Sequence, residues 1–290
     1  MRKLTALVIG LAIIGYAANV VQADEHGRWQ ALKNNPSCVV WSRTPQEQET
    51  FTWSGDCVGG KAQGRGVKVW RLWIDGEWKE NRYDGDMEDG KNEGRGTLYF
   101  ADGSRYEGDF RGGRLHGLGT YYFADGGIYQ GELKDGNFNG RGTKVWANGD
   151  RYEGDWKDDK MYGRGAKHYA DGGRYEGEYR DGRRHGRGIY YYTSGSRYGG
   201  DWKGDKRHGH GTYYFANGNR YQGDFEDDKW HGRGTFYFAN GNECEGDWRE
   251  GRLLGTGKGW SSSNSRWMKC HVRGDTIKFT ELGETINFSE

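Results

Sequence analysis

Seven cations recur in this chain at multiples of 23 residues, and side chains of this type could together bind a repeated anion. They are Lys91, Arg114, Lys160, Arg183, Lys206, Lys229 and Arg252. Four histidines stand two residues after such a position, namely His116, His185, His208 and His231. A row of positive charge attracts lipid headgroups, anionic polysaccharides or an acidic protein face.

The same columns also fit a structural explanation. Acids such as Asp135, Asp158 and Asp227 are interleaved with the cations, and the net charge is only +1. A mixed-charge edge keeps a protein soluble and hinders edge-to-edge aggregation. We favour this solubilising role and keep the anion-binding edge as the alternative.

The spacing of the histidines does not suggest a metal site. Equivalent positions in successive two-stranded repeats lie about 10 Å apart. The ligands of one zinc ion must all come within about 2.1 Å of it. We therefore expect no metal and no cofactor, and a structural or anion-contacting role for the histidines.

A second column is acidic in all eight copies of the repeat. Its members are Asp86, Asp109, Glu132, Asp155, Glu178, Asp201, Asp224 and Asp247. The facing positions hold Arg95, Arg141, Arg164, Arg187, His210 and Arg233. Opposite charges across neighbouring strands fix the register of a sheet and contribute roughly 0.2–1 kcal/mol each. We interpret these acids as a solvated ladder and not as catalytic groups.

Enzyme motifs give no support for a catalytic function. The sequence contains no phosphate-binding loop, Gly-x-Ser-x-Gly, His-Glu-x-x-His or Cys-x-x-Cys. The non-repeated segments contain Trp70, Trp73 and Trp78 but no acid–base pair that would suggest a site. We expect a protein that is not an enzyme.

The elements that must position these columns are short strands. In one copy Tyr106, Gly108 and Phe110 alternate with acids, which predicts a strand with an inward aromatic face. A second aromatic follows in seven successive copies, then an Asp-Gly, Asn-Gly or Ser-Gly pair that is typical of a hairpin turn. Each repeat is therefore predicted to be a β-hairpin. The tyrosine stripe could be a ligand groove, but we favour a core, because little else is available to form one.

The composition fits this architecture. Mean hydropathy is −1.08, which by itself would indicate disorder. Aromatic residues make up 15% of the chain and recur at fixed places, so they can supply a narrow continuous core. Among 53 glycines, those inside the strands are predicted to leave room for neighbouring aromatic rings.

The pattern of Tyr-x-Gly-x-aromatic, Gly-x-Gly and Asp-Gly resembles the MORN repeat family. The resemblance covers residues 83–260, with a degenerate copy and an insertion in residues 51–82. It implies an all-β fold, an elongated single-layer antiparallel sheet of tandem 23-residue hairpins. It also implies a non-catalytic scaffold that binds proteins or membrane phospholipids.

The N-terminal segment carries a signal for export, and both ends of the chain have atypical segments. Residues 1–23 have a basic start, an apolar run and small residues before Asp24, which predicts a cleaved secretory signal peptide. A retained membrane anchor is the alternative. The mature protein is expected in the periplasm or outside the cell, with cap segments at residues 24–50 and 261–290.

Four cysteines in an exported chain suggest two disulfides. A bridge between the ends of a long sheet would exceed the Cα separation of about 7 Å that a disulfide allows. We predict Cys38 with Cys57 and Cys244 with Cys270. The second pair requires a register shift of three residues in the serine-rich loop near Ser261.

These observations favour an exported repeat scaffold that binds a protein or another component of the cell envelope. The alternative function is peripheral binding of anionic phospholipid headgroups through the cationic edge. We expect no nucleic acid partner. Self-association is also expected, because open sheet ends and exposed aromatic side chains favour it.

Overall fold

The computed structural model describes residues 27–46, 48–263, 265–273, 276–280 and 285–286. In this part of the chain the secondary structure consists of strands joined by turns, with no helix. None of the described segments is therefore a helix long and apolar enough to cross a membrane. The predicted signal peptide and parts of both predicted caps lie outside the described residues.

The chain forms two compact units, Met1–Gly126 with Gln130–Asn137 and Gly127–Tyr129 with Phe138–Glu290. The strands of the first unit are β1 (Arg28–Ala31), β2 (Val39–Ser42), β3 (Glu49–Trp53), β4 (Asp56–Val58), β5 (Lys61–Ile74), β6 (Glu77–Glu88), β7 (Lys91–Tyr99), β8 (Arg105–Arg111) and β9 (Arg114–Tyr122). Strand β10 (Ile128–Lys134) contributes residues to both units. The strands of the second unit are β11 (Asn137–Val145), β12 (Arg151–Lys157), β13 (Lys160–His168), β14 (Arg174–Arg180), β15 (Arg183–Tyr191), β16 (Arg197–Lys203), β17 (Lys206–Tyr214), β18 (Arg220–Glu226), β19 (Lys229–Tyr237), β20 (Glu243–Arg249), β21 (Arg252–Leu253), β22 (Gly257–Ser261), β23 (Arg266–Arg273), β24 (Thr276–Thr280) and β25 (Thr285–Ile286).

Within each unit, neighbours along the chain pair as antiparallel strands. In the first unit β5 to β9 follow this order, β3 and β4 pair with β5, and β1 pairs with β2. In the second unit each strand from β11 to β20 pairs with the next. Strand β22 then pairs with β20, and β22 to β25 pair in chain order. The prediction of an all-β fold of tandem antiparallel hairpins is confirmed.

Turn chemistry explains why each repeat folds back on itself. At the tip between β12 and β13, Asp158 and Asp159 both have positive φ, of 47° and 66°. Aspartate tolerates this region better than most residues, and two such residues in succession match a two-residue hairpin turn. The loop after β11 contains Gly149 with φ of 91°, where glycine avoids the strain that a side chain would cause.

A bulge lies at the same place in the hairpins β6–β7, β8–β9, β12–β13, β14–β15, β16–β17 and β18–β19. In the hairpin of β12 and β13, Gly154 pairs with Gly165, but the next residue, Asp155, pairs with Tyr162. The residues between, Gly163 and Arg164, are extra, and Gly163 has φ of 59°. A bulge of this kind bends the sheet and redirects the side chains beyond it.

Successive hairpins are also joined near their tips. The amide of Gly182 donates a hydrogen bond of 2.9 Å to the carbonyl of Met161 in the preceding hairpin. Gly113 makes the equivalent bond to Asn92 in the first unit. Each hairpin therefore contacts its neighbour both along the strand and at the tip.

The two disulfides agree with the pairs predicted from the sequence. Cys38 is bonded to Cys57 with Cα atoms 6.0 Å apart, and Cys244 to Cys270 with Cα atoms 5.9 Å apart. The second bridge passes over Gly257, where a Cβ would lie 2.8 Å from the sulfur of Cys270. The absence of a side chain at this position makes room for the bridge.

The insertion in the first unit lengthens one hairpin. Strands β5 and β6 extend past the normal repeat to a tip where Trp73 and Trp78 pack edge to face. At the base of this hairpin the ammonium of Lys68 is buried and donates a hydrogen bond of 2.6 Å to Asn92. Trp70 and Tyr83 surround it, with ring centroids at 5.1 and 5.8 Å. Burial lowers the pKa of Lys68 to about 7.

Candidate functional site

The tyrosines that begin the repeats form the core. Their side chains are fully buried, with 0% exposure, at Tyr83, Tyr106, Tyr129, Tyr152, Tyr175, Tyr198 and Tyr221. The hydroxyl of Tyr152 donates a hydrogen bond of 3.0 Å to the carbonyl of Asp155, and burial raises the pKa of this tyrosine. The core interpretation of the tyrosine stripe is confirmed, because these rings are not accessible to a ligand.

Glycines make this packing possible. A Cβ on Gly154 would lie 2.5 Å from the Cα of Gly165 and 2.6 Å from the hydroxyl of Tyr152. Side-chain atoms do not approach this closely, so the ring of Tyr152 requires glycine on both paired strands. The prediction that strand glycines leave room for aromatic rings is confirmed.

A second set of aromatic rings lies beside the core in the second unit and is only partly covered. We name it the aromatic ladder. It consists of Tyr169, Tyr190, Tyr192, Tyr213, Phe215, Phe236 and Phe238. Successive ring centroids are 5.8, 4.5, 5.6, 4.7, 5.7 and 4.8 Å apart. Most of these rings are half-buried, and Phe236 is buried.

Cations extend and support the ladder. The ammonium of Lys167 lies 4.6 Å from the ring centroid of Tyr169 and 4.9 Å from that of Trp146. The guanidinium of Arg184 lies 5.1 Å from the ring of Tyr190 and is held by Asp205, with a Nε–Oδ1 distance of 3.2 Å. Partial burial raises the pKa of Tyr169 to about 12, so this hydroxyl stays neutral at ordinary pH.

The acidic column occupies the opposite face of the sheet, which we name the charged face. Its cross-strand partners agree with the ladder predicted from the sequence in four repeats. The ion pairs are Arg95 with Asp109 at 3.5 Å, Arg141 with Asp155 at 3.9 Å and Arg187 with Asp201 at 3.9 Å, and His210 Nδ1 lies 3.2 Å from Asp224 Oδ1.

The charged face of the first unit also contains an open cavity of about 590 Å³. Arg65, Arg95 and Leu118 line it together with Asp84 and Glu107. Leu118 stands where most repeats carry a cation, and it is 65% exposed. The cavity is open, and its lining combines these charged side chains with glycine residues of the strands.

The repeat pattern is also recognised by a family model. The model described as MORN repeat matches residues 83–105, 106–128, 129–151, 152–174, 175–197, 198–220, 221–243 and 244–265. These segments cover more than half of the chain. The chain belongs to the MORN repeat family. Repeats of this family suggest a repeat-type binding scaffold.

Two further comparisons extend this finding little. No curated protein matches the chain. Among solved structures, the SAS-4 (dCPAP) TCP domain in complex with a proline-rich motif of Ana2 (dSTIL) of Drosophila melanogaster is similar. It has a TM-score of 0.34 and 10% sequence identity, over 52% of this chain and 81% of that one. A likeness this weak supports no functional argument.

Three of the seven tip cations of the MORN hairpins are paired with acids. Ion pairs join tip cations to acids of the following hairpin tip in three places. These pairs are Arg114 with Asp135 at 3.8 Å, Lys206 with Asp227 at 3.3 Å, and Lys229 with Glu250. Lys91 instead lies over the ring of Trp41 at 5.5 Å. Within the described residues Lys160, Arg183 and Arg252 form no ion pair. Three of the seven tip cations therefore have no ion pair in the part of the chain that the structure describes, and the anion-binding edge stays a prediction.

The histidines of the MORN repeats lie close to this edge. His208 Nδ1 is 4.0 Å from the carboxylate of Asp227, and His231 Nδ1 is 3.2 Å from that of Glu226 without the alignment of a hydrogen bond. His116 Nδ1 is buried with no hydrogen-bond partner, and His185 lines a small cavity beside Tyr162. Nowhere in the described ranges do three His, Cys, Asp or Glu side chains come together to hold a metal ion.

Two features of this surface were not predicted from the sequence. The first is the ion pairing between consecutive tips, which joins residues 21 apart in the chain. The interleaved acids were visible, but their partners were not. The second is the role of the acidic column at the bulge, where its carboxylates accept main-chain hydrogen bonds.

Proposed function

We propose that this MORN protein is an exported, non-catalytic scaffold whose aromatic ladder binds a protein or another component of the cell envelope. The carrying observation is the ladder itself, a continuous set of rings that, apart from the buried Phe236, are only half-buried. Contiguous apolar surface that remains accessible is characteristic of interaction sites. The fully buried tyrosines already supply the core, so the ladder is available for a partner.

The geometry of the ladder suits binding at low entropic cost. Each ring contacts the next at 4.5 to 5.8 Å, so the side chains are fixed before a partner arrives. Rigid tyrosine and phenylalanine side chains lose little freedom on binding, and aromatic anchors dominate interface energies. Arg184 and Lys167 add positive charge beside the rings, which favours a partner that carries both apolar and acidic groups.

The two disulfides support the exported location. Both disulfides join residues that the fold brings within normal bridging distance. Disulfides persist in oxidising compartments and are rare in the cytosol. This agrees with the signal peptide predicted from the sequence, and processing of the N-terminus on export would test it.

The experiment compares residues on opposite faces. A photo-crosslinking amino acid is introduced at Tyr192, Phe215 or Phe238, which belong to the ladder. The controls carry it at Val145 or His168, which lie on the charged face one residue before Trp146 and Tyr169. Illumination of cells should give specific adducts from ladder positions and none from the controls. Adducts from the control positions alone, or from none, would contradict the proposal.

Lipid binding through the tips is the second candidate, and the unpaired cations Lys160, Arg183 and Arg252 are the observation that favours it. The measurement is flotation of residues 24–290 with neutral and anionic vesicles across a salt series. Salt-sensitive binding to anionic vesicles only, weakened when Lys160, Arg183 and Arg252 are neutralised, would support lipid as the ligand. No binding would leave the protein partner ahead.

A further inference from the structure

A row of alternating arginine and tyrosine side chains crosses the charged face of the second unit. Along β14 to β19 its members are Arg174, Tyr191, Arg197, Tyr214, Arg220 and Tyr237, each paired with the next across a strand boundary. The guanidinium of Arg197 lies 4.3 Å from the ring centroid of Tyr214, and that of Arg220 lies 4.0 Å from that of Tyr237. Each of these guanidiniums therefore lies over the ring of its cross-strand neighbour.

In other repeats an acid two residues further on neutralises the arginine. Arg151 pairs with Glu153 at 2.6 Å, and Arg174 pairs with Glu176 at 2.9 Å. The position two residues after Arg197 is Gly199, and the one after Arg220 is Gln222. Neither Arg197 nor Arg220 forms an ion pair with the part of the chain that the structure describes. Two neighbouring guanidiniums thus carry uncompensated charge.

We infer that Arg197 and Arg220 form a second binding surface, which holds carboxylates of an acidic segment of a partner protein. A stacked guanidinium keeps its N–H groups free at the edge of its plane, where a carboxylate can accept two hydrogen bonds. The two arginines are one repeat apart, or about 10 Å, and both are exposed. The register places Tyr214 between them, and the next residues on this face, Gly199, Thr212 and Gln222, are neutral and do not repel an anion.

The surroundings favour a protein over other anions. Arg197 and Arg220 already cover one face of Tyr214 and Tyr237, so these rings are poorly placed to stack on a sugar. Lipid-binding patches carry roughly four to eight cations, whereas this one has two. The row then ends at Glu243, which would repel a continuous anionic surface.

This surface is distinct from the aromatic ladder and does not depend on it. Tyr191 belongs to the row and Tyr192 to the ladder, and consecutive residues of a strand point to opposite faces. The two surfaces can therefore be occupied at the same time. Failure of one proposal would leave the other standing.

The test is a fluorescence anisotropy titration of the full mature chain with a labelled ten-residue peptide of glutamate and glycine, at near-physiological salt. R197Q with R220Q should weaken binding at least tenfold. G199E with Q222E should have the same effect, because it restores the acids of the other repeats. Position 199 accepts a side chain, since the nearest atom to a Cβ there is Ile189 Cγ1 at 3.6 Å.

The matched control is R151Q with R174Q, which changes Arg174 of the row and Arg151 of β12, both of which already have acid partners. Its affinity for the peptide should stay within about twofold of the wild type, and all variants should unfold at the wild-type temperature. Unchanged affinity in the variant with restored acids would overturn the inference. So would equal binding of a glutamine and glycine peptide, displacement by inorganic phosphate at equal concentration, or binding of anionic vesicles in place of the peptide.

Discussion

The carboxylate of Asp155 accepts a hydrogen bond of 3.0 Å from the main-chain amide of Arg164, across the bulge of the hairpin that both residues share. Asp109 makes the equivalent bond to Leu118 at 3.1 Å, and Asp201 to His210 at 3.1 Å. The acid therefore caps a main-chain donor that the bulge removes from the strand ladder. This explains a column that is acidic in every copy more directly than its ion pairs do.

Removing this cap should destabilise the protein. Asp155→Ala is expected to lower the free energy of unfolding by about 1–2 kcal/mol, because a charge-assisted hydrogen bond is lost and an amide is left unpaired. Glu153→Ala on the same strand removes only a surface ion pair and should cost less than about 0.5 kcal/mol. Urea unfolding measures both, and equal losses would contradict the capping role.

The glycine pair beneath each tyrosine should tolerate no side chain. Gly154→Ala would place a Cβ 2.6 Å from the carbonyl oxygen of Arg164, and main-chain atoms cannot move aside cheaply. A loss of about 2 kcal/mol or more is expected in thermal or urea unfolding. Gly199→Ala, at an open strand position, should be neutral or slightly stabilising. A neutral effect at Gly154 would show that the ring can move.

Stability should depend on pH through Lys68. Its pKa is about 7 in the folded protein, lowered by burial, and about 10.5 when unfolded. The cost of burying the charge is therefore fully present below pH 7 and is relieved as the pH rises from 7 towards 10.5. Between pH 7 and 9 the free energy of unfolding should rise by about 2 kcal/mol. Urea unfolding at several pH values measures this rise.

The control for this prediction is Lys68→Met, which keeps an unbranched side chain between Trp70 and Tyr83. This variant should be more stable than the wild type at pH 6 and should lose the rise between pH 7 and 9. A rise of the same size in both proteins would assign the pH dependence to other groups.

The two disulfides should stabilise the segments on either side of the repeats. Protein made in an oxidising compartment should show no free thiol under denaturing conditions before reduction and four after it. Cys244→Ala with Cys270→Ala opens a bridge with a sequence separation of 26, which should cost about 3 kcal/mol. A thiol titration that detects free cysteine in the oxidised protein would refute the pairing.

Most of the fold could be predicted from the 23-residue repeat. Tyr106, Gly108 and Phe110 predict the strand and its buried face, and the turn residues predict the hairpins. The disulfides follow from the distance limit that a series of strands imposes. Burial of Lys68 could not be predicted, because the insertion before Tyr83 breaks the period at that copy. The tip ion pairs were also missed, since they depend on how consecutive hairpins stack.

The hydrogen bond from Gly182 to Met161 has its counterpart between each hairpin tip and the one before it, so an inner repeat meets the same surroundings wherever it stands. Duplication of one 23-residue segment would then lengthen the array without creating any new packing problem. A gene of this kind can change the number of its binding positions by recombination alone. Side-chain substitutions such as those at Gly199 and Gln222 can afterwards give individual copies their own specificity.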